Sequence, residues 1–132
     1  MNNIAIITES GEINISLNLN ESRIKEAYPD LKHNWIQSEF MVEYGTVLGL
    51  PGKWIIRCDK TNGLFDSIYA NWHGIEFDTK SNILRRILGP PNGKKMPSAF
   101  NYEGWTIDAC EISHAETEYY ESISIQFKSR KN

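Results

Sequence analysis

The sequence predicts an α+β fold. It is a two-layer sandwich, with a mainly antiparallel sheet of five to seven strands carrying two or three helices on one face. Three observations predict it. Apolar residues alternate with polar ones in several short runs, the signature of half-buried strands. Two or three other runs place apolar residues at helical spacing. A helix–strand–strand order then recurs, which reads as a possible tandem α-β-β repeat with units at residues 37–72 and 80–127. The 132 residues (15.2 kDa) make one domain, 1–132, long enough for its own core.

The elements follow in order. Residues 4–8 and 12–19 flank Glu9-Ser10-Gly11, and Ile13, Ile15, Leu17 and Leu19 alternate with Asn14, Ser16 and Asn18. This predicts a first hairpin. Asn20 caps a short helix that Pro29 stops after Tyr28. Residues 30–34 connect to a longer helix from Ile36 or Ser38 to Leu48. There Phe40, Met41, Tyr44, Val47 and Leu48 share a helical face, and Gly49 and Pro51 end it.

Residues 54–72 read as a hairpin around Asn62-Gly63, a pair suited to the positive φ of a type I′ turn. Residues 75–77 form a short strand. Asp78 or Thr79 caps a helix with the stripe Ile83, Leu84, Ile87 and Leu88, stopped by Gly89-Pro90-Pro91. Residues 92–101 are a loop. A strand at 105–111, a loop at 113–118 and a strand at 119–127 complete the chain.

The repeat rests on FDSIYANW (65–72) set over YESISIQF (120–127), where Ser-Ile falls on Ser-Ile. VLGLPGK (47–53) likewise resembles ILGPPNGK (87–94), and Trp54 aligns with Trp105. Each unit reads helix, Leu-Gly-x-Pro stop, Trp-led strand, turn, strand. The exposed sheet face is then expected to carry Arg57, Asp59, Asp66, Ser67, Tyr69, Asn71, Asp108, Ser122, Ser124 and Gln126.

The net charge of −3 selects no partner, but the charges are segregated. Residues 79–102 hold five bases (Lys80, Arg85, Arg86, Lys94, Lys95) and no acid. Residues 103–127 hold six acids (Glu103, Asp108, Glu111, Glu116, Glu118, Glu121) and no Lys or Arg. Two readings follow. Either the two halves neutralise each other on a solvated surface, or the last hairpin presents an acidic face to a basic partner.

No apolar run reaches the length of a membrane span, and MNNIAIITES lacks a basic n-region. The expected location is cytoplasmic, with Cys58 and Cys110 reduced and buried or half-buried. His33, His73 and His114 fit no metal-ligand spacing. Gly89–Lys95 follows a helix instead of preceding one and lacks a Gly-Lys-Ser/Thr end, so it is no phosphate loop. No carboxylate pair is marked for acid–base work. The acidity argues against nucleic acid. No cofactor and no metal are expected, and the reading is of a non-enzymatic protein, monomeric or a weak homodimer.

GIEFDTKSNILRRILGPPNG, FNYEGWTIDACEI and YYESISIQF, over about residues 72–127, resemble the immunity proteins encoded beside bacterial polymorphic and contact-dependent growth inhibition toxins. The resemblance implies an antitoxin that neutralises a cognate toxin C-terminal domain, a nuclease by preference, through stoichiometric occlusion. The candidate partner contacts are Asp108, Glu111, Glu116, Glu118 and Glu121, with Asp59, Asp66 and Tyr69 behind them. The alternatives are a non-enzymatic adaptor or regulatory subunit, and a small hydrolase in which His73, His114 or Cys58 would converge on a pocket.

Overall fold

The computed structural model describes residues 3–93 and 101–127. Its elements are β1 (Asn3–Thr8), β2 (Gly11–Ser16), α1 (Glu21–Ala27), β3 (Lys32–Asn34), β4 (Glu39–Val47), β5 (Leu50–Cys58), β6 (Phe65–Trp72), α2 (Phe77–Leu88), β7 (Asn101–Ile107), β8 (Cys110–Glu116) and β9 (Glu121–Phe127). The class is α+β, mostly antiparallel sheet. Among the described residues nine strands run in the order β2-β1-β4-β5-β6-β9-β8-β7, with β3 added beside β4. The expectation of five to seven strands is therefore too low, and two helices lie among the described residues.

The difference begins at residues 39–47, which form a strand and not a helix. Phe40 and Val42 are buried, then Gly45 and Val47. The inward parity changes because a β-bulge shifts the register between Val42 and Gly45. That shift turns a period of two into spacings of three and seven, which are also helical spacings. The sequence after it is no helix stop. Leu48 (φ 51°) and Gly49 (φ 80°) form a two-residue turn closing the Val47–Leu50 pair. Leu-Gly thus adopts the positive-φ geometry expected of Asn-Gly.

Asn62-Gly63 lies instead in a six-residue loop between Cys58 and Phe65. Asp59 Oδ1 accepts from the amides of Thr61 (2.7 Å) and Asn62 (3.2 Å), and only Gly63 has positive φ. Residues 105–111 are not one strand either. Asp108 (φ 52°) turns the chain between the paired Ile107 and Cys110, and the expected loop at 113–118 is largely β8. Residues 75–77 form no strand but lead into α2, whose N-cap is Glu76 without a side-chain cap bond. The first hairpin and the Asn20 cap, which accepts from the Arg23 amide, are as expected.

Of the expected loop, residues 94–100 lie outside the described residues. Asn92 and Gly93 are held on the edge of β7, both donating to the Gly104 carbonyl (2.9 and 2.8 Å). The two echoing strands, β6 and β9, are neighbours paired antiparallel, with Tyr69 opposite Ser124. Trp54 lies on β5 and Trp105 on β7, so their strands are not equivalent in the sheet. Each indole nevertheless donates back to the Leu-Gly-x-Pro segment before it, Trp54 to Leu50 (3.2 Å) and Trp105 to Gly89 (2.9 Å).

One apolar cluster joins both halves, from Ile4, Ile6 and Ile24 to Ile112, Ile123 and Phe127. α1 contributes Ile24, and α2 contributes Leu84. The opposite sheet face carries Arg57, Tyr69, Asn71, Ser122, Ser124 and Gln126, with no helix packed on it among the described residues.

A Cβ on Gly45 would lie 2.6 Å from Ile6 Cγ2, a stiff β-branched atom of a fully buried residue. Gly45→Ala is therefore expected to destabilise by roughly 1–3 kcal/mol through overpacking. In a helix the same change would stabilise by about 1 kcal/mol. The sign of the shift in a urea denaturation midpoint distinguishes the two.

Candidate functional site

Two features stand out: a charged network sealed under α2 and the uncovered outer face. The network forms because strand parity turns three polar side chains inward. Glu103 alternates with Trp105 on β7, His114 with Ile112 on β8, and Glu121 with Ile123 on β9. His114 Nδ1 lies 2.7 Å from Glu103 Oε2, and His114 Nε2 meets Glu121 Oε2. α2 supplies the counter-charges. Lys80 Nζ donates to Glu121 Oε1 (2.9 Å), and Ser81 Oγ and Arg85 Nε donate to Glu103 Oε1 (2.8 and 2.9 Å). The Glu76 amide adds a bond to Glu121 Oε1 (2.9 Å).

Phe77 stacks on the imidazole with centroids 4.1 Å apart, and Trp72 lies under the Lys80 ammonium at 4.8 Å. A neutral imidazole has one N–H. With a carboxylate on each ring nitrogen, the Glu103–His114–Glu121 group must hold one additional proton. Burial alone would raise the Glu121 carboxyl. The bonds from His114, Lys80 and the Glu76 amide, with the His114 charge, outweigh it and hold Glu121 below the usual carboxylate range. His114 and Glu121 have no exposed surface, so no substrate can reach them. The network is an internal clamp between α2 and the last three strands.

The thiols are equally closed. Burial pushes Cys58 up to about 12, with the Glu21 and Asp66 charges adding to it, and pushes Cys110 up to about 11. Both are free and unbonded to each other. Cys58 on β5 and His114 on β8 are three strands apart, about 14 Å, and His73 is exposed. The convergence that a hydrolase requires is not formed. Among the described residues no three His, Cys, Asp or Glu side chains are grouped to hold a metal ion.

The outer face is the remaining surface with organised polar geometry. At its centre Arg57 Nε donates to Glu39 Oε2 (3.0 Å), Tyr69 Oη donates to the same oxygen (3.1 Å), and the guanidinium lies 4.9 Å from the Tyr69 ring. Burial, then the Glu39 bond and charge, raise the Tyr69 phenol above its ordinary range, so it stays a donor. A hollow of about 380 Å³ at Lys32, Asn34, Met41 and Ile55 flanks this triplet on one side. One of about 210 Å³ at Asn71, Ser122 and Ser124 flanks it on the other. At the rim, the Asn34 side chain accepts from the amides of Ile36 and Gln37 (3.1 Å each) and fixes a turn. That turn presents Trp35 (68% exposed) and Ile36 (83% exposed).

The acids read from the sequence do not gather on one surface. Asp108 and Glu111 lie at one end of β8, and Glu116 and Glu118 at the other, five residues or about 17 Å from Glu111. Glu116 accepts from Asn101, Asp59 closes its own loop, and Asp66 is half-buried and accepts from Ser67 Oγ (3.3 Å). Glu121 is a correction: it is fully buried and contacts α2, not a partner. Its alternation with Ile123 and Ile125 was the signal. Of the expected contacts, Tyr69 alone is part of the outer-face triplet; Glu39 and Arg57 complete it. No family model matches the chain, and no curated protein or solved structure matches it.

Breaking a buried ion pair costs about 3–5 kcal/mol, so Glu121→Gln is expected to lose that order of stability at pH 7. Because Glu121 titrates below its unfolded value, its contribution is present above the usual carboxylate range. It is lost as pH falls through the folded value. Denaturant midpoints between pH 7 and pH 3 should therefore fall less steeply in Glu121→Gln than in the wild type. In native protein at pH 8, a thiol reagent should modify neither Cys58 nor Cys110 until denaturant is added.

Proposed function

We propose that this protein is a non-catalytic binding protein of the immunity type, which neutralises a cognate toxin domain by stoichiometric occlusion. The outer sheet face around Glu39, Arg57 and Tyr69 is proposed as its docking surface. The observation that carries this reading is the uncovered face itself: polar and aromatic across β4, β5, β6, β9 and β8, and bordered by exposed Trp35 and Ile36. Arg, Tyr and Trp are the residues that most often dominate interface energetics.

The sealed His114 and the high thiol values of Cys58 and Cys110 support a non-catalytic role, since a nucleophile must be ionisable and accessible. A nuclease partner drew its support from an acidic hairpin. With those acids divided between two ends of β8 and the interior, the partner is proposed only as a protein toxin domain. An adaptor or regulatory subunit is the second reading, supported by the same exposed Trp35 and Ile36. Its partner would be a permanent complex instead of a toxin.

The test is co-expression with toxin C-terminal domains encoded beside this chain. The expected result is restored growth and a one-to-one complex on size-exclusion chromatography. Tyr69→Ala and Arg57→Ala should each weaken that complex by about tenfold or more. Glu116→Lys with Glu118→Lys should leave it within about twofold. Restored growth that survives the outer-face variants but is lost on charge reversal at Glu116 and Glu118 would return the site to the acidic hairpin. A complex without growth rescue would favour the adaptor.

A further inference from the structure

The sheet has a break along one edge of β4. β1 pairs with β4 only at Ile7–Thr46, and β3 pairs with it at Lys32–Met41, His33–Phe40 and Asn34–Glu39. Between them, among the described residues, Glu43 and Tyr44 pair with no strand on that side, whereas the Val42 backbone faces Trp54 of β5. Among the described residues no turn or loop hydrogen bond reaches their backbone. The gap spans about 10 Å, three residues of extended chain. It opens into a groove of about 880 Å³.

The free outer edges of the sheet are treated differently. On β7 the Thr106 amide is taken by Asn92 Oδ1 (2.8 Å), and on β2 the Asn14 amide donates to Tyr28 Oη (2.9 Å). The chain thus occupies backbone groups at its two outer edges and leaves those of the internal break open. An unpaired strand edge is a template for another chain.

The groove walls specify which chain. Ile13, Leu31 and Val42 give it an apolar floor. Glu9 and Glu12 stand on the β1–β2 side, Asp30 on the β3 side, and Glu43 in the break, against a single base, Lys32. Lys32 reaches Glu43 at 3.3 Å, but the two side chains are 74% and 45% exposed. Such a solvated pair is weak and displaceable. The missing pairing defines the site, and the surplus of acids selects a cationic occupant.

We propose that this break binds a short extended segment of another protein with alternating basic and apolar side chains. Its central residues complete the ladder at Glu43 and Tyr44. Its apolar side chains meet the Ile13–Val42 floor, and its Arg or Lys side chains meet Glu9, Glu12, Asp30 and Glu43. The site is separate from the outer-face triplet and does not depend on the toxin reading.

The probe is the acetylated and amidated pentapeptide Arg-Val-Arg-Val-Arg, titrated into ¹⁵N-labelled full-length protein. Saturable shifts are expected at the Glu43 and Tyr44 amides. Binding should weaken by about tenfold or more when both Val amides are N-methylated, because the donors to the ladder are gone. A Glu-Val-Glu-Val-Glu peptide should not bind. Glu12→Lys with Glu43→Lys should also cost about tenfold. A thermal melt checks that this variant is folded, and if it is not, the three peptides alone decide. Shifts confined to other residues, equal binding of the N-methylated peptide, or no saturation at millimolar peptide would overturn the proposal.

Discussion

The placement of α2 depends on a buried polar contact more than on an apolar one. α2 buries Lys80, Ser81 and Leu84, while Ile87 of its apolar stripe is 51% exposed. Leu84, with the half-buried Ile83 and Leu88, makes an apolar contact that sets no single position along β7–β9. The clamp allows one position, because Lys80 must meet Glu121 while Ser81 and Arg85 meet Glu103. Hydrophobic burial is non-directional, and a buried charged network is costly unless every member is paired. Specificity of position is what such a network can supply, even where an apolar replacement would be as stable. With α2 fixed, the apolar side of β7–β9 is closed, and the other side is left to solvent.

The same economy governs the sheet's edges. The nine strands of the described residues, in one open sheet, present two long outer rows of backbone donors and acceptors. The chain blunts them with its own groups: residues 92–93 along β7, and the Tyr28 hydroxyl on β2. β4 is different because two strands of different length share one of its edges and do not meet. The bulge at Val42–Gly45 lies at this place, and Gly45 packs tightly against Ile6 on its far side. The bulge in β4 thus coincides with the gap between β1 and β3.

What the sequence made legible divides by whether parity held. The first hairpin, the Asn20 cap and the inward run Ile123–Phe127 follow uninterrupted periods, and they stand where the periods place them, whereas of the α2 stripe Leu84 is buried, Ile83 and Leu88 are half-buried and Ile87 is exposed. β4 was misread because its bulge converts a strand period into helical spacings at Phe40, Val42, Gly45 and Val47. β8 was misread because a two-residue turn at Asp108-Ala109 carries no Gly or Pro to announce it. Read as one strand, residues 105–111 leave Glu103 and His114 without a face, and the clamp does not show in the sequence. Tyr69 and Arg57 were placed on the outer face correctly, since β5 and β6 have no parity change between Trp54 and Arg57 or between Ser67 and Trp72. Glu39, in the misread β4, could not be added to them.

The segregated charges show why a sequence-level acidic patch is weak grounds for a partner. A basic run followed by an acidic run can be two surfaces or two sides of one contact. Here Lys80 and Arg85 of the basic run meet Glu121 and Glu103 of the acidic run across the helix–sheet interface. The segregation along the chain therefore records in part that α2 packs on β7 and β9, and two of the five bases meet two of the six acids across that interface. The acids that remain outside, Asp108 and Glu111 at one end and Glu116 and Glu118 at the other, are too far apart to act together beyond a Debye length of about 8 Å. A partner surface on this fold has to be sought where side chains of several strands meet on one face. That is the geometry of Glu39, Arg57 and Tyr69.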